Sequence, residues 1–195
     1  LPIGFVSCDM TIPVTGANPG VYTNTIPDNT LVTDQGITNI FPATDTLTLT
    51  PYSLGNQVWF DTNNNGVIDT GEVGVQGVRV ELYRDDGTTP GVFDAGDTYV
   101  SFRNTDASGY YRFDDLGAGD YVVTIPADNF RDIGAGDNVG TDPLEGYLSS
   151  GTSIAANGTT SDSIGTDPDN DVDDDDNGVT TFSGNAVDYV SAQTV

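Results

Sequence analysis

The residues best able to do chemistry lie in one twelve-residue run, Asp61-Thr62-Asn63-Asn64-Asn65-Gly66-Val67-Ile68-Asp69-Thr70-Gly71-Glu72. Asp61, Asn63, Asn65, the Val67 carbonyl, Asp69 and Glu72 fall at positions 1, 3, 5, 7, 9 and 12 of a calcium loop, with Gly66 at the sharp turn of position 6. The odd-numbered spacing turns alternate side chains inward onto one ion, position 9 often acting through water. The acid at position 12 closes the shell with two oxygens. Every donor is a hard oxygen, which is the chemistry of Ca2+. The bland alternative is a polar Asn/Gly turn, but chance matches to such a pattern are rare.

A second run repeats the pattern. Gly91-Val92-Phe93-Asp94-Ala95-Gly96-Asp97 matches Gly66 to Glu72 without a gap, which puts Asp86, Thr88, Pro90, the Val92 carbonyl, Asp94 and Asp97 at the same six positions. Pro90 supplies no side-chain ligand. The loop is therefore a degraded copy, one that borrows an oxygen from elsewhere, or a solvated hairpin loop. Asp106, Asp114, Asp115 and Asp120 could add to such a site, though turn chemistry explains them equally well. Further on, Asp167, Asp169, Asp171, Asp173 and Asp175, then Asn177, recur every second residue. In an extended chain they line one face with carboxylates that repel unless cations lie between them. That favours calcium here too, against a solvated acidic linker. Asn157-Gly158-Thr159 is a sequon for an N-linked glycan.

Composition points the same way. The chain of 195 residues carries 30 acids against five bases, all Arg, for a formal net charge of −25, with no Lys and no His. Such a surface repels nucleic acid and anionic lipid and attracts divalent cations. No stretch is apolar for long enough to span a membrane. Cys8 stands alone, so no intrachain disulfide is available, and bound calcium is the natural substitute staple. No basic segment and apolar run precede it, as expected of a mature or excised segment. Without His or Lys, acid–base catalysis would need a carboxylate dyad, and these acids sit in Asn/Gly loops suited to metal. An enzyme is not expected.

The elements that must hold these loops are strands. Apolar residues nowhere recur at helical spacing, whereas Thr, Val, Tyr and Phe alternate with polar residues between Gly, Pro, Asn and Asp turns. An all-β protein follows. Val78, Val80 and Leu82 alternate with Arg79, Glu81 and Tyr83, the pattern of a half-buried strand. Runs at 99–103, 110–113 and 121–125 continue a sandwich over residues 53–131. Residues 1–52 hold extended segments at 4–14, 21–26, 31–40 and 46–50, too few strands for a sandwich of their own. Residues 132–195 form an Asp-rich segment that ends in a strand from Val187. That strand has two homes, its own sheet or the edge of another molecule.

Leu54-Gly55-Asn56-Gln57-Val58-Trp59-Phe60-Asp61, the calcium loop, Gly74-Val75-Gln76-Gly77-Val78, Thr105-Asp106-Ala107-Ser108-Gly109-Tyr110-Tyr111-Arg112-Phe113 and Leu116-Gly117-Ala118-Gly119-Asp120-Tyr121 occur in an order that resembles the B-type repeats of Ser-Asp-repeat bacterial surface proteins. The resemblance implies a Cna-B-like, transthyretin-like sandwich that binds calcium through Asp61, Asn63, Asn65, Asp69 and Glu72 and acts as a stalk. Many Cna-B-like domains are locked by a Lys-to-Asn isopeptide bond, which a chain without Lys cannot form. Residues 8–50, above all Pro19-Gly20-Val21-Tyr22-Thr23-Asn24-Thr25-Ile26, resemble the back half of an Ig-like surface repeat.

The expectation is an extracellular, cell-surface structural protein: a calcium-stiffened stalk between flanking repeats, or a fibril of copies joined head to tail by donation of the last strand. An adhesin segment that binds a surface glycan or matrix protein is the alternative, with exposed aromatics such as Trp59 as its evidence. The loop flanks are strands, so no helix pair exists to open as in a calcium sensor.

Overall fold

The computed structural model describes residues 13–16, 18–130, 142–150, 153–154, 160–161, 178–183 and 186–193. Cys8, Asn157 and the acidic positions Asp167, Asp169, Asp171, Asp173 and Asp175 lie outside the described residues. The chain divides into two compact units: Leu1–Tyr52 with Asp115–Ala118, and Ser53–Asp114 with Gly119–Val195.

The first unit is a hairpin. Strand β1 (Gly20–Ile26) pairs antiparallel with β2 (Ala43–Leu49), from Gly20 opposite Leu49 to Ile26 opposite Ala43. The excursion between them is tied by Asn39. Its carboxamide oxygen accepts the N–H groups of Thr30 and Leu31, and its nitrogen donates to the carbonyls of Pro27 and Phe41. Asn29 turns the chain at a φ of 58°, which its short polar side chain tolerates.

The remaining strands are β3 (Tyr52–Gln57), β4 (Arg79–Arg84), β5 (Thr98–Asn104), β6 (Tyr110–Leu116), β7 (Tyr121–Pro126), the short pair β8 (Ser153–Ile154) and β9 (Thr160–Ser161), β10 (Val179–Ser183) and β11 (Ala186–Gln193). The larger sheet runs β10-β11-β7-β4-β5, and β3 pairs with β6. The protein is an all-β sandwich. Val78, Val80 and Leu82 are fully buried, joined by Phe113, Val122 and Val123. Each such aliphatic side chain contributes about 1.5–3 kcal/mol of burial. The period-two reading of residues 78–83 holds: the alternate residues Arg79, Glu81 and Tyr83 are only half-buried. In β7, however, Tyr121 to Thr124 are all buried, because this strand is central, between β4 and β11.

The last strand takes the intramolecular home. From Tyr189 opposite Pro126 to Gln193 opposite Val122, β11 pairs antiparallel with β7, and β10 follows at its outer edge. The sequence reading ends the sandwich at 131. The structure carries its larger sheet through to residue 193, because β7 is apolar on both faces and takes a neighbour on each side.

Two side chains fix where the loops begin. Buried Thr105 donates its hydroxyl to the Val75 carbonyl (2.6 Å) and accepts the Val78 N–H (3.0 Å), seating the chain as it leaves the first loop. Buried Asn129 accepts the Arg79 N–H (2.7 Å) and donates to the Arg79 and Pro126 carbonyls (3.0 Å each), standing in for a strand neighbour at the start of β4. Among the described residues no helix is long and apolar enough to cross a membrane.

Candidate metal centre

The run 61–72 is the loop of a hairpin closed at its base. Trp59 bridges Gly74 antiparallel, and the Phe60 N–H donates to the Val73 carbonyl at 2.9 Å. A turn braces that base from the side: the Val58 N–H donates to the Gly109 carbonyl, and the Gln57 carboxamide donates to the Ser108 carbonyl. The approach is so close that a Cβ at Gly74 would strike the Ser108 backbone, which explains a glycine there. The Phe60 ring packs on Tyr147 at 4.7 Å between centroids.

Within the loop, Asp61 accepts the N–H groups of Asn65 (3.2 Å) and Gly66 (2.7 Å). Asn63 Oδ1 accepts the Asn65 N–H, and Asn65 Oδ1 accepts the Val67 N–H. The carboxamide nitrogens of Asn63 and Asn65 converge on Asp69 Oδ2 at 2.7 and 3.0 Å. Glu72 spans the mouth. One oxygen accepts the Thr62 N–H (2.7 Å) and hydroxyl (3.0 Å), the other the Asp69 N–H (3.0 Å). Gly66 is buried at a φ of 76°, the left-handed turn that position needs.

Burial raises the Asp61 carboxyl, but the Gly66 N–H, the Ser150 hydroxyl and the Asn65 and Asn64 N–H groups outweigh it and hold the group below its ordinary value. The Asp69 N–H, opposed by desolvation and helped by Thr62, does the same for Glu72. Both are anionic at neutral pH.

The second loop, between β4 and β5, closes in the same way. Asp97 accepts the Gly87 N–H on one oxygen (3.0 Å) and the Asp94 N–H on the other (2.9 Å). Gly87 thus stands where Thr62 stands, and a Cβ there would meet the Asp94 and Asp97 carboxylates and force them to turn aside. Asp94 accepts the Thr88 hydroxyl (2.7 Å) and the Thr88, Thr89 and Gly96 N–H groups. These hold its carboxyl low, the Thr88 hydroxyl most strongly. Phe93 pins the loop to the sheet against Tyr83, 4.6 Å between centroids.

The loops differ at position 1. Asp86, aligned there by sequence, turns instead to the N–H and hydroxyl of Thr98 (2.9 and 3.0 Å). Asp85 takes the inward role, accepting the Gly91 N–H at 2.7 Å as Asp61 accepts that of Gly66. Pro90 explains the exchange. In the first loop the N–H at position 5 helps hold Asp61, and a proline has none to give. The adjacent Asp85-Asp86 pair was the available signal for this residue, and counting back from Gly91 hid it.

The donor set fits a hard divalent cation: carboxylates, amide oxygens and backbone carbonyls, with neither imidazole nor thiolate. Among the described residues no three acids already converge as a metal cluster. The carboxylates are spent on loop N–H groups, and in the first loop two amide nitrogens donate to Asp69. Val67 and Val92 are exposed.

The family model of the SdrD B-like domain matches residues 52–171, more than half of the chain. Serine-aspartate repeat-containing protein I of Staphylococcus saprophyticus is 38% identical over 125 residues, covering 54% of this chain and 6% of that protein. The Fibrinogen-binding protein of Staphylococcus epidermidis is 40% identical over 72 residues, 37% of this chain and 6% of that one. Colossin-B of Dictyostelium discoideum is 36% identical over 80 residues, 40% and 2% respectively. The chain therefore spans only a small fraction of these relatives. The sandwich, the order of its hairpins and these matches agree: the chain belongs to the SdrD B-like domain family, a structural repeat domain of surface proteins.

Proposed function

We propose that the chain is a calcium-stiffened spacer of an extracellular surface protein, its two hairpin loops each gripping Ca2+ and replacing the disulfide and isopeptide staples its sequence cannot make. The observation that carries this reading is the shared closure of the loops, in which Glu72 and Asp97 each bridge the N–H groups of positions 2 and 9. Carboxylates fixed by their own loop backbone lose less freedom on gripping an ion, so less ordering entropy opposes binding. Asp61, Asn63, Asn65, Asp69, Glu72 and the Val67 carbonyl would hold the ion in the first loop. Asp85, Thr88, Asp94, Asp97 and the Val92 carbonyl would hold it in the second. The ion supplies charge neutralisation and cross-linking within each hairpin.

Calorimetric titration of chelator-stripped protein with Ca2+ tests this. Saturable binding that Asp61→Asn weakens at one site and Asp85→Asn at the other supports the assignment; no heat of binding refutes it.

The spacer works either between flanking repeats or between copies joined head to tail. Donation of the last strand is the costlier route to such joining, since β11 would have to leave its pairing with β7 and expose Val190, buried in this structure. Adhesion is the second reading, favoured by the name of the Fibrinogen-binding protein among the relatives. Trp59 gives it little support, because its indole nitrogen is enclosed.

A further inference from the structure

The larger sheet ends at β5, and among the described residues no strand pairs with its outer side. This edge is long and apolar: Tyr99, Val100 and Phe102 are 47%, 42% and 43% exposed. Soluble proteins usually blunt such an edge with lysine, proline or a short strand, because its free N–H and C=O groups template another strand. Here seven residues run without any of these, interrupted only by one bulge at Val100, where the register against β4 shifts.

Beside the edge lies a groove of about 750 Å³ lined by Leu54, Gly55, Arg103, Tyr110, Tyr111 and Arg112. With Arg103, Arg112 and Asp106 in its wall, it carries a net positive charge in a chain of net charge −25. Arg79 and Arg112 are paired with Glu81 and Asp114. Arg103, exposed, makes no ion pair within 4 Å among the described residues; it donates to the Phe102 carbonyl and lies 5.6 Å from the Phe113 ring. A guanidinium so placed recognises a carboxylate on an incoming strand.

The hairpin of the first unit has the complementary need. Among the described residues it is a two-stranded sheet with no further strand on either edge and an exposed Val21, and two strands alone are marginal in water. Residues 1–52 contain four Asp and no base, and β2 carries the exposed Asp45. We propose that the outer edge of β5, with the Arg103 groove, accepts β2 of a second copy of this chain as an added strand. Donor and acceptor are different surfaces, so the contact is heterologous and propagates head to tail. This rests on the assembly reading above and names its surfaces.

Sedimentation velocity of the full chain in calcium, over a range of concentrations, tests it. Large species should grow with concentration. Val100→Lys and Arg103→Glu, both at exposed positions, should each raise the concentration needed by about tenfold or more, with the melting temperature unchanged. Asp45→Arg should weaken assembly likewise, and Arg103→Glu with Asp45→Arg in one chain should recover it. Assembly indifferent to both β5 substitutions overturns the surface while leaving head-to-tail joining intact. Failure of the double variant to recover overturns β2 as the occupant. A chain that is monomeric at every concentration overturns the assembly reading itself.

Discussion

Glu72 and Asp97 hold equivalent stations in two separate loops. Each carboxylate joins the second residue of its loop to the ninth, through Thr62 and Asp69 in one case and Gly87 and Asp94 in the other. The longer glutamate also reaches the Thr62 hydroxyl, whereas the shorter aspartate works only because Gly87 lets the backbone close in.

Glu72→Gln should therefore lose more than a charge. An amide nitrogen replaces an oxygen that accepts an N–H, leaving a donor facing a donor and loosening the loop even without metal. In calcium the loss should be larger, because the position that closes the shell is also weakened. Thermal melting of the variant in calcium and in chelator separates the two contributions.

Gly87→Ala and Gly74→Ala should both destabilise, by about 1–3 kcal/mol or more. Gly74→Ala should be the worse of the two. Its Cβ meets the Ser108 backbone, which the Gly109–Val58 contact holds in place, whereas the carboxylates that crowd Gly87 can turn aside. Urea unfolding of the two variants should show this order.

In the second loop, Asp85→Asn should weaken calcium binding more than Asp86→Asn does. Asp86 serves the first residue of β5, so its substitution should appear as faster hydrogen exchange at Thr98.

Acid should destabilise the metal-free chain. Asp61, Glu72 and Asp94 have folded values lowered from 3.8, 4.5 and 3.8. A depressed carboxyl contributes stability that is fully present above its unfolded value and is lost as pH falls through its folded one. Melting temperature should be flat from neutrality to about pH 5 and fall below it. Asp61→Asn should flatten the fall.

The strand after the first loop was legible because Val78, Val80 and Leu82 alternate with polar residues, and period two is a local property. The central strand β7 was harder, since burial on both faces erases alternation. The place of β11 was open for a related reason: a terminal strand states its need for a partner but not which partner, and only the apolar edge of β7 decides it. Asn129 was invisible, because a buried amide that bonds a distant strand looks like any loop asparagine in sequence. Loop spacing exposed most candidate ligands, whereas Asp85 depended on the missing N–H of Pro90, an effect that acts through space rather than spacing.

The central claim is that calcium holds this sandwich together, and differential scanning calorimetry of the full chain in calcium and in excess chelator tests it most directly. With free calcium near 100 times the dissociation constant, each loop should add about 2.7 kcal/mol, a rise of several degrees in melting temperature. Superimposable transitions in calcium and in chelator would contradict the account.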